Sequence, residues 1–575
     1  MTITYRIEVA DPQAHLLRVT LTVPLPTAQQ RLSLPVWIPG SYLVREFARH
    51  LSAFSAEQGG QPRRIEPIDK SSWQVDTQGR GALTVRYTVY AFDTSVRTAF
   101  VDARRAFLNG SSVCLRVAGR ESGPHQLRFA RLPAGWQIAT AMRALGARVF
   151  EAADYDELVD HPFELGRFWR GQFMAAGVPH EFVVAGAWPG FDGDRLLADT
   201  KKICAAQIAF WHGPKGRPPY DRYVFLLNAV DDGYGGLEHR ASTALIAARR
   251  DLPRVGQATT SDGYATLLGL ISHEFFHTWN VKRLKPADFA QLDYGRENYT
   301  RLLWFFEGFT SYYDDLFLVR SGLIDETRYL KLIVKTINGV HAMPGRFVQS
   351  VAESSFDAWV KYYRSDENTP NATVSYYAKG SLVALAFDLT LRTRGRGTLD
   401  DVMRLLWQRS GGGPIDEDTI LQALRDVGGR SYAGELAAWV HGTDDLPLHT
   451  LLARIGVAWK TESAGLAVAL GLKVAESALT GVRVSHVLRG GAGERAGLAA
   501  GDELLAADGW RLRRLDDLAQ WTQGGESVEL LVARDQRVLT LQVAPPAEPP
   551  GTVVLAAADA PRAAVARRQA WLASG

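Results

Sequence analysis

Over the first 150 or so residues, apolar and polar side chains alternate one for one. Leu17, Val19, Leu21 and Val23 alternate with Arg18, Thr20 and Thr22, and Leu83, Val85, Tyr87 and Val89 with Thr84, Arg86 and Thr88. A period of two puts one face of each segment in a core and the other in water, as in a β-strand. Gly and Pro punctuate the runs, which predicts an N-terminal antiparallel β-sandwich over residues 1–160. Further on the spacing becomes helical. Tyr264 to Asn280 has Ser261 and Asp262 as caps and Pro286 beyond a basic last turn. A second helix is predicted from about Asn298 to Arg320, ended by Gly322, and others over Leu382 to Arg392 and Thr398 to Trp407, the last with Asp400 and Asp401 in its first turn. Before them, YDRYVFLLNAVDDGYGGLEHR reads as strand, Gly-rich turn, strand. After about residue 455 the pattern changes to short strands with glycines and a short helix. APPAEPPG, Ala544 to Gly551, reads as a linker, and PRAAVARRQAWLASG opens on Pro561 in a helix-starting position.

Composition bounds the class of protein. At 575 residues the chain exceeds one core and predicts three or four domains. Apolar residues at 46% exclude general disorder, and 65 basic against 62 acidic residues give no electrostatic case for nucleic acid. Cys114 and Cys204 make no disulfide framework. The N-terminus alternates like a strand and shows no apolar leader, and no apolar run approaches the roughly 18 residues of a membrane helix. The expectation is a soluble protein of a reducing compartment, cytoplasmic, or periplasmic if a leader has been removed.

The chemistry sits in ISHEFFHTWN, Ile271 to Asn280. On a helix, His273 and His277 share one face and can offer imidazoles to one cation, while Glu274 can reach a water there without being a ligand. A catalytic zinc needs a third protein ligand and an open position. Glu307, in the apolar stretch LLWFFEGFTSYYDDL and 30 residues after His277, is the candidate. Two apolar-lined helices packed antiparallel would bring it to the histidine pair, and a metal ion would stabilise its buried charge. Ser311 and Asp314, one and two turns on, are candidates for orienting the ligands.

HEFFHTWNVKRLKP followed by ENYTRLLWFFEGFTSYYDDL strongly resembles the glycyl aminopeptidase family of zinc metallopeptidases, which is of the gluzincin type. PVWIPGSYLVREFARH, Pro35 to His50, resembles that family's sandwich signature. The resemblance implies a multidomain α+β protein. Residues 1–160 are expected to form the sandwich, 161–455 a thermolysin-like, mostly helical catalytic domain, 456–545 a PDZ-like domain, and 546–575 a linker and C-terminal helix. DDGYGGLEHR resembles the edge strand that precedes the zinc helix in gluzincin aminopeptidases. That implies Glu238, 35 residues before His273, as the group holding the substrate's free α-amine. Gly235 and Gly236 permit close approach of an extended peptide to this edge. SYYAKGSLVALAFDL resembles a helix start whose tyrosine supports catalysis, which implies Tyr377 as oxyanion donor, with Tyr376 as the substitute. GVRVSHVLRGGAGERAGLAAGDELLAADGWRL, Gly481 to Leu512, resembles a bacterial protease-type PDZ domain. In it a small helix around Ala496 and Leu498 precedes the Gly501–Asp502 turn, and Ala469 to Val474 forms the carboxylate-binding loop and strand edge. The loop lacks a Gly-Leu-Gly-Phe pattern, so peptide capture and a purely structural role both stay open.

Together these imply one zinc ion per chain and hydrolysis of the N-terminal peptide bond by a zinc-activated water, with Glu274 as general base. Peptides with a free N-terminus are the expected substrates, and the resemblance implies a preference for Gly or Ala. The alternatives are a metalloendopeptidase on the same site and a PDZ scaffold carrying a non-catalytic peptidase domain. Neither nucleic acid nor membrane is expected as a partner.

Overall fold

The structure is a computed structural model describing residues 2–573 apart from positions 131, 395, 478, 522–525 and 547–549, and without the side chains of 519–521. The chain forms two compact units. Met1–Tyr299, Tyr313–Ile324 and Trp407–Ile415 make the first, and Thr300–Tyr312, Asp325–Leu406 and Asp416–Gly575 the second.

In the first unit, the two alternating runs become neighbouring antiparallel strands, Leu16–Val23 and Leu83–Tyr90. Leu17 lies opposite Val89, Val19 opposite Tyr87, Leu21 opposite Val85 and Val23 opposite Leu83. All eight are buried in one apolar core, which an eight-stranded sheet shares with two four-stranded sheets. The sandwich is not wholly antiparallel. Ile3–Asp11 pairs antiparallel with Leu16–Val23 but parallel with His125–Phe129. Its strands also run past residue 160, because Phe163–Gly166 pairs with Arg105–Leu108 and Gln137–Ala139.

A five-stranded sheet follows. The helix Gly193–His212 carries the chain from Val178–Ala185 to its parallel neighbour Tyr223–Val230, the crossover that parallel pairing requires. The predicted strand, Gly-rich turn and strand are present as Tyr223–Val230 and Tyr234–Glu238, but the two are not partners. Ser242–Ala248 lies between them, parallel to the first and antiparallel to the second. Tyr234–Glu238 is therefore the edge of the sheet.

The histidine helix is Asp262–Phe276, with the Ser261 hydroxyl accepting from the Tyr264 N–H. It stops short of the predicted Asn280. The chain leaves it at His277 and reaches Val281, whose φ of 121° is unusual for a β-branched residue. The next helix also starts later than its apolar pattern suggests. Asn298 is used upstream, its side chain accepting from the Asp293 N–H and donating to the Asp293 carbonyl. The helical residues are Leu303–Phe306 and Gly308–Arg320, with Glu307 in right-handed helical conformation between them and Gly322 (φ 72°) after the end.

The second unit contains the helices Glu326–His341 and Ala378–Arg394. Its PDZ sheet runs Leu472–Ser477, Gly481–Val487, Glu503–Ala507, Val528–Arg534, Arg537–Val543, with Leu472–Ser477 at one edge. The small helix is Ala492–Arg495, ending just before Ala496. The Asn371 side chain holds this module, donating to the Val487 carbonyl (2.9 Å) and accepting from the Arg489 N–H (2.8 Å).

Val457–Ser463, expected within the PDZ domain, pairs instead with Gly551–Ala557 from the far side of the predicted linker. Residues 547–549 of that linker lie outside the described residues. The tail helix Arg562–Leu572 starts after Pro561 and docks through Trp571, which is fully buried and donates from Nε1–H to the Tyr312 hydroxyl (2.8 Å). Among the described residues no helix is long and apolar enough to cross a membrane. Trp571→Ala should destabilise the second unit by about 3–5 kcal/mol, seen as a lower denaturant midpoint. An unchanged midpoint would show that the tail adds nothing to stability.

Candidate metal centre

The two imidazoles are locked from behind. His277 Nδ1–H donates to the Asn280 carbonyl (2.7 Å), and His273 Nδ1–H to Asp314 Oδ2 (2.9 Å). Carbonyl and carboxylate oxygens accept, so both rings carry their proton on Nδ1. The two Nε2 lone pairs then face each other across 3.1 Å, an arrangement that a cation between them makes favourable. Two nitrogens at 2.0–2.1 Å from a tetrahedral zinc would be about 3.3 Å apart. The donor atoms of His273, His277 and Glu307 all lie within 4.8 Å of one another, and they form the one such group of His, Cys, Asp and Glu found among the described residues. Two imidazoles and a carboxylate are the donor set of a catalytic zinc with one position open.

Glu307 is 2% exposed. Its continuation, Gly308–Arg320, carries Asp314 two turns later, so one helical run supplies a candidate ligand and the carboxylate that orients another. Ser311, the other expected orienting residue, makes no side-chain hydrogen bond among the described residues. The Asn280 carbonyl, which the sequence did not reveal, is the group that orients His277.

Glu274 is 5% exposed and presses on the edge strand: a β-carbon at position 236 would sit 2.1 Å from its Oε1. Gly236 is thus a packing requirement of Glu274. Gly40, with φ 91°, plays the same part for Glu238, whose Oε2 would lie 2.4 Å from a β-carbon there. Glu238 is 4% exposed, and its carboxylate makes no hydrogen bond or ion pair among the described residues.

Tyr377 is brought beside Glu307 by two glycines. A β-carbon at Gly308 would meet the Gly380 backbone at 2.6 Å, so the two helices touch main chain to main chain. The Tyr377 hydroxyl lies 3.3 Å from that of Tyr363, and its ring stacks on Tyr376. Burial, and then the neighbouring Glu307 carboxylate, push its pKa well above the ordinary tyrosine value, which keeps it a proton donor. Tyr376 is fully buried.

A buried anion joins the loops that flank this region. Asp160 accepts from Lys282 Nζ (2.7 Å) and the Arg240 N–H (3.0 Å), with His239 Nδ1 at 3.3 Å. Burial alone would raise its pKa, but Lys282, His239 and Arg240 hold it well below the usual carboxylate range. Nothing in the sequence around Asp160 signals this role, because its partners are 79 or more residues away.

Comparison with known proteins identifies the modules of the chain. Residues 4–167 match the Peptidase M61 N-terminal domain, 266–383 the M61 glycyl aminopeptidase domain and 483–534 a PDZ domain. The crystal structure of an aminopeptidase N family protein from Idiomarina loihiensis is 36% identical with a TM-score of 0.93, over 99% of this chain and 100% of that one. An M1 zinc metallopeptidase from Deinococcus radiodurans is 15% identical with a TM-score of 0.48, over 78% of this chain and 95% of that one.

Asp314→Asn should weaken zinc binding about 10- to 100-fold in a chelator competition. Unchanged affinity would show that the carboxylate does not set the His273 ligand.

Proposed function

The chain belongs to the M61 glycyl aminopeptidase family and is a zinc metallopeptidase of the aminopeptidase type, and from that premise we propose how its own residues do the work. In this reading His273, His277 and Glu307 hold one zinc ion per chain. The observation that carries it is the convergence of these three donors with the two imidazole Nε2 atoms 3.1 Å apart. When bound, the ion supplies Lewis acidity, making a water acidic near pH 7 and drawing charge from the scissile carbonyl.

Glu274 takes the proton of the attacking water and delivers it to the leaving amine. Its support is a buried carboxylate in the histidine helix, held against Gly236 of the edge strand. Tyr377 donates its hydroxyl proton to the developing oxyanion, and its raised pKa keeps that proton in place. Glu238 binds the substrate ammonium. A buried carboxylate without a partner is costly until a cation arrives, so the free enzyme stores a preference for a charged amine. That favours removal of N-terminal residues over internal cleavage. An extended peptide would lie along this edge, where Gly235 and Gly236 carry no side chains to hold it off, setting the first peptide bond beside Glu274. A preference for N-terminal Gly rests on the family description alone, and Ala is its nearest neighbour in size. At the PDZ module, the edge strand Leu472–Ser477 behind the Gly471 turn offers a place for a peptide C-terminus.

Glu274→Gln should keep its zinc by metal analysis while losing about 10²–10⁴ in kcat. A near-normal rate would remove Glu274 as the base. Glu238→Ala should raise KM about 10- to 100-fold for free-amine peptides, the worth of a charged hydrogen bond, and much less for N-acetylated ones. Equal effects on both would return the endopeptidase reading.

A further inference from the structure

Arg97 lies between the sandwich strands Leu83–Tyr90 and Ala99–Val101, and its guanidinium reaches the edge strand. Nη2 is 3.5 Å from the Gly236 carbonyl oxygen, and a side chain at Gly235 would come 3.9 Å from Nη1. Nε is buried with no hydrogen-bond partner, and no acidic residue pairs with Arg97 among the described residues. Arginine stays charged at any working pH, and a half-buried cation without a counter-charge is unfavourable. An incoming anion would remove that cost, and the planar guanidinium suits a carboxylate in particular.

The position along the strand sets where that carboxylate must be. The Gly236 carbonyl is within reach of Arg97, so it faces the open edge, away from Ser242–Ala248. Arg97 covers the acceptor that a longer added strand would use. Glu238 is two residues further on, and Gly235 three residues away from it. At about 3.4 Å per residue, an extended peptide whose amine sits at Glu238 brings a group on its third residue to Arg97.

We propose that Arg97 is a specificity-determining residue that binds a carboxylate carried by the third residue of the substrate, either the C-terminus of a tripeptide or an acidic side chain. This rests on the aminopeptidase reading and on Glu238 holding the amine. The carboxylate ends productive pairing with the edge and fixes the register from the far side.

The test uses the zinc-loaded, full-length protein with triglycine, triglycinamide, Gly-Gly-Asp amide and glycine p-nitroanilide. In the wild type, kcat/KM for triglycine should exceed that for triglycinamide at least tenfold. Gly-Gly-Asp amide recovering the lost rate supports the inference and assigns the side chain as a second source; its failure to do so supports it with the C-terminus as the source. Arg97→Met should bring the acid-to-amide ratio to within about twofold, and Arg97→Lys should restore part of it, which a purely structural role would not do. If the anilide is turned over but triglycine, triglycinamide and Gly-Gly-Asp amide react alike, the inference is overturned and the aminopeptidase reading survives. If neither the anilide nor any of the peptides is turned over, the aminopeptidase reading fails and takes the inference with it.

Discussion

Two imidazole Nε2 atoms 3.1 Å apart, each ring held from behind at Nδ1, are the constraint around which the rest of the site is arranged. Each imidazole is held by an acceptor at Nδ1, which forces its lone pair inward. The Asn280 carbonyl can serve as one acceptor only if the chain abandons the helix straight after His277, and Val281 takes the strained conformation that follows. The other acceptor, Asp314, comes from the helical run that starts with Glu307. Strain, helix termination and a buried carboxylate thus serve one end, turning the two Nε2 atoms toward each other.

Several of the acidic side chains are placed by glycines. Gly236 gives way to Glu274 and Gly40 to Glu238, while Gly308 and Gly380 let two helices meet at the main chain and set Tyr377 near Glu307. In each case a methyl group would occupy the space of the functional group or of its supporting backbone. Glycine is unfavourable in helices by about 1 kcal/mol relative to alanine, so its place next to Glu307 and after Lys379 has a positional cause.

The legible part of the protein was the part written in local periodicity. Leu17 to Val23 and Leu83 to Val89 announced their faces, and they turned out to lie directly opposite each other. The i, i+4 histidines share one face and Asp314 reaches His273, as helical spacing suggested, and the module order followed from motif resemblance. What escaped depends on contacts distant in sequence. No local signal says that Ile3–Asp11 takes a parallel partner at His125–Phe129, or that Val457–Ser463 leaves the PDZ region for a strand beginning at Gly551. The same holds for Asp160, whose three cationic or polar partners come from two remote loops. Helix ends were misread where a side chain or carbonyl had a competing use, as at Asn298 and Asn280.

The run that begins at Glu307 is also fixed beyond the site, and the fixing reaches the last helix of the chain. Tyr312 donates its hydroxyl to Asp388 (2.6 Å), a fully buried carboxylate that also accepts from Arg392 Nε (2.9 Å) and the Leu399 N–H (2.8 Å). A buried carboxylate with this many donors is satisfied and holds a defined geometry, whereas one missing a donor would not. Trp571 completes the chain of hydrogen bonds by donating to the Tyr312 oxygen. Tyr312 and Glu307 belong to one helical run and are five residues apart, so whatever holds Tyr312 limits how far Glu307 can drift. Metal geometry tolerates errors of only a few tenths of an ångström. The tail helix is therefore explicable as part of the support for a candidate metal ligand, through a contact at a sequence separation where no motif could have revealed it.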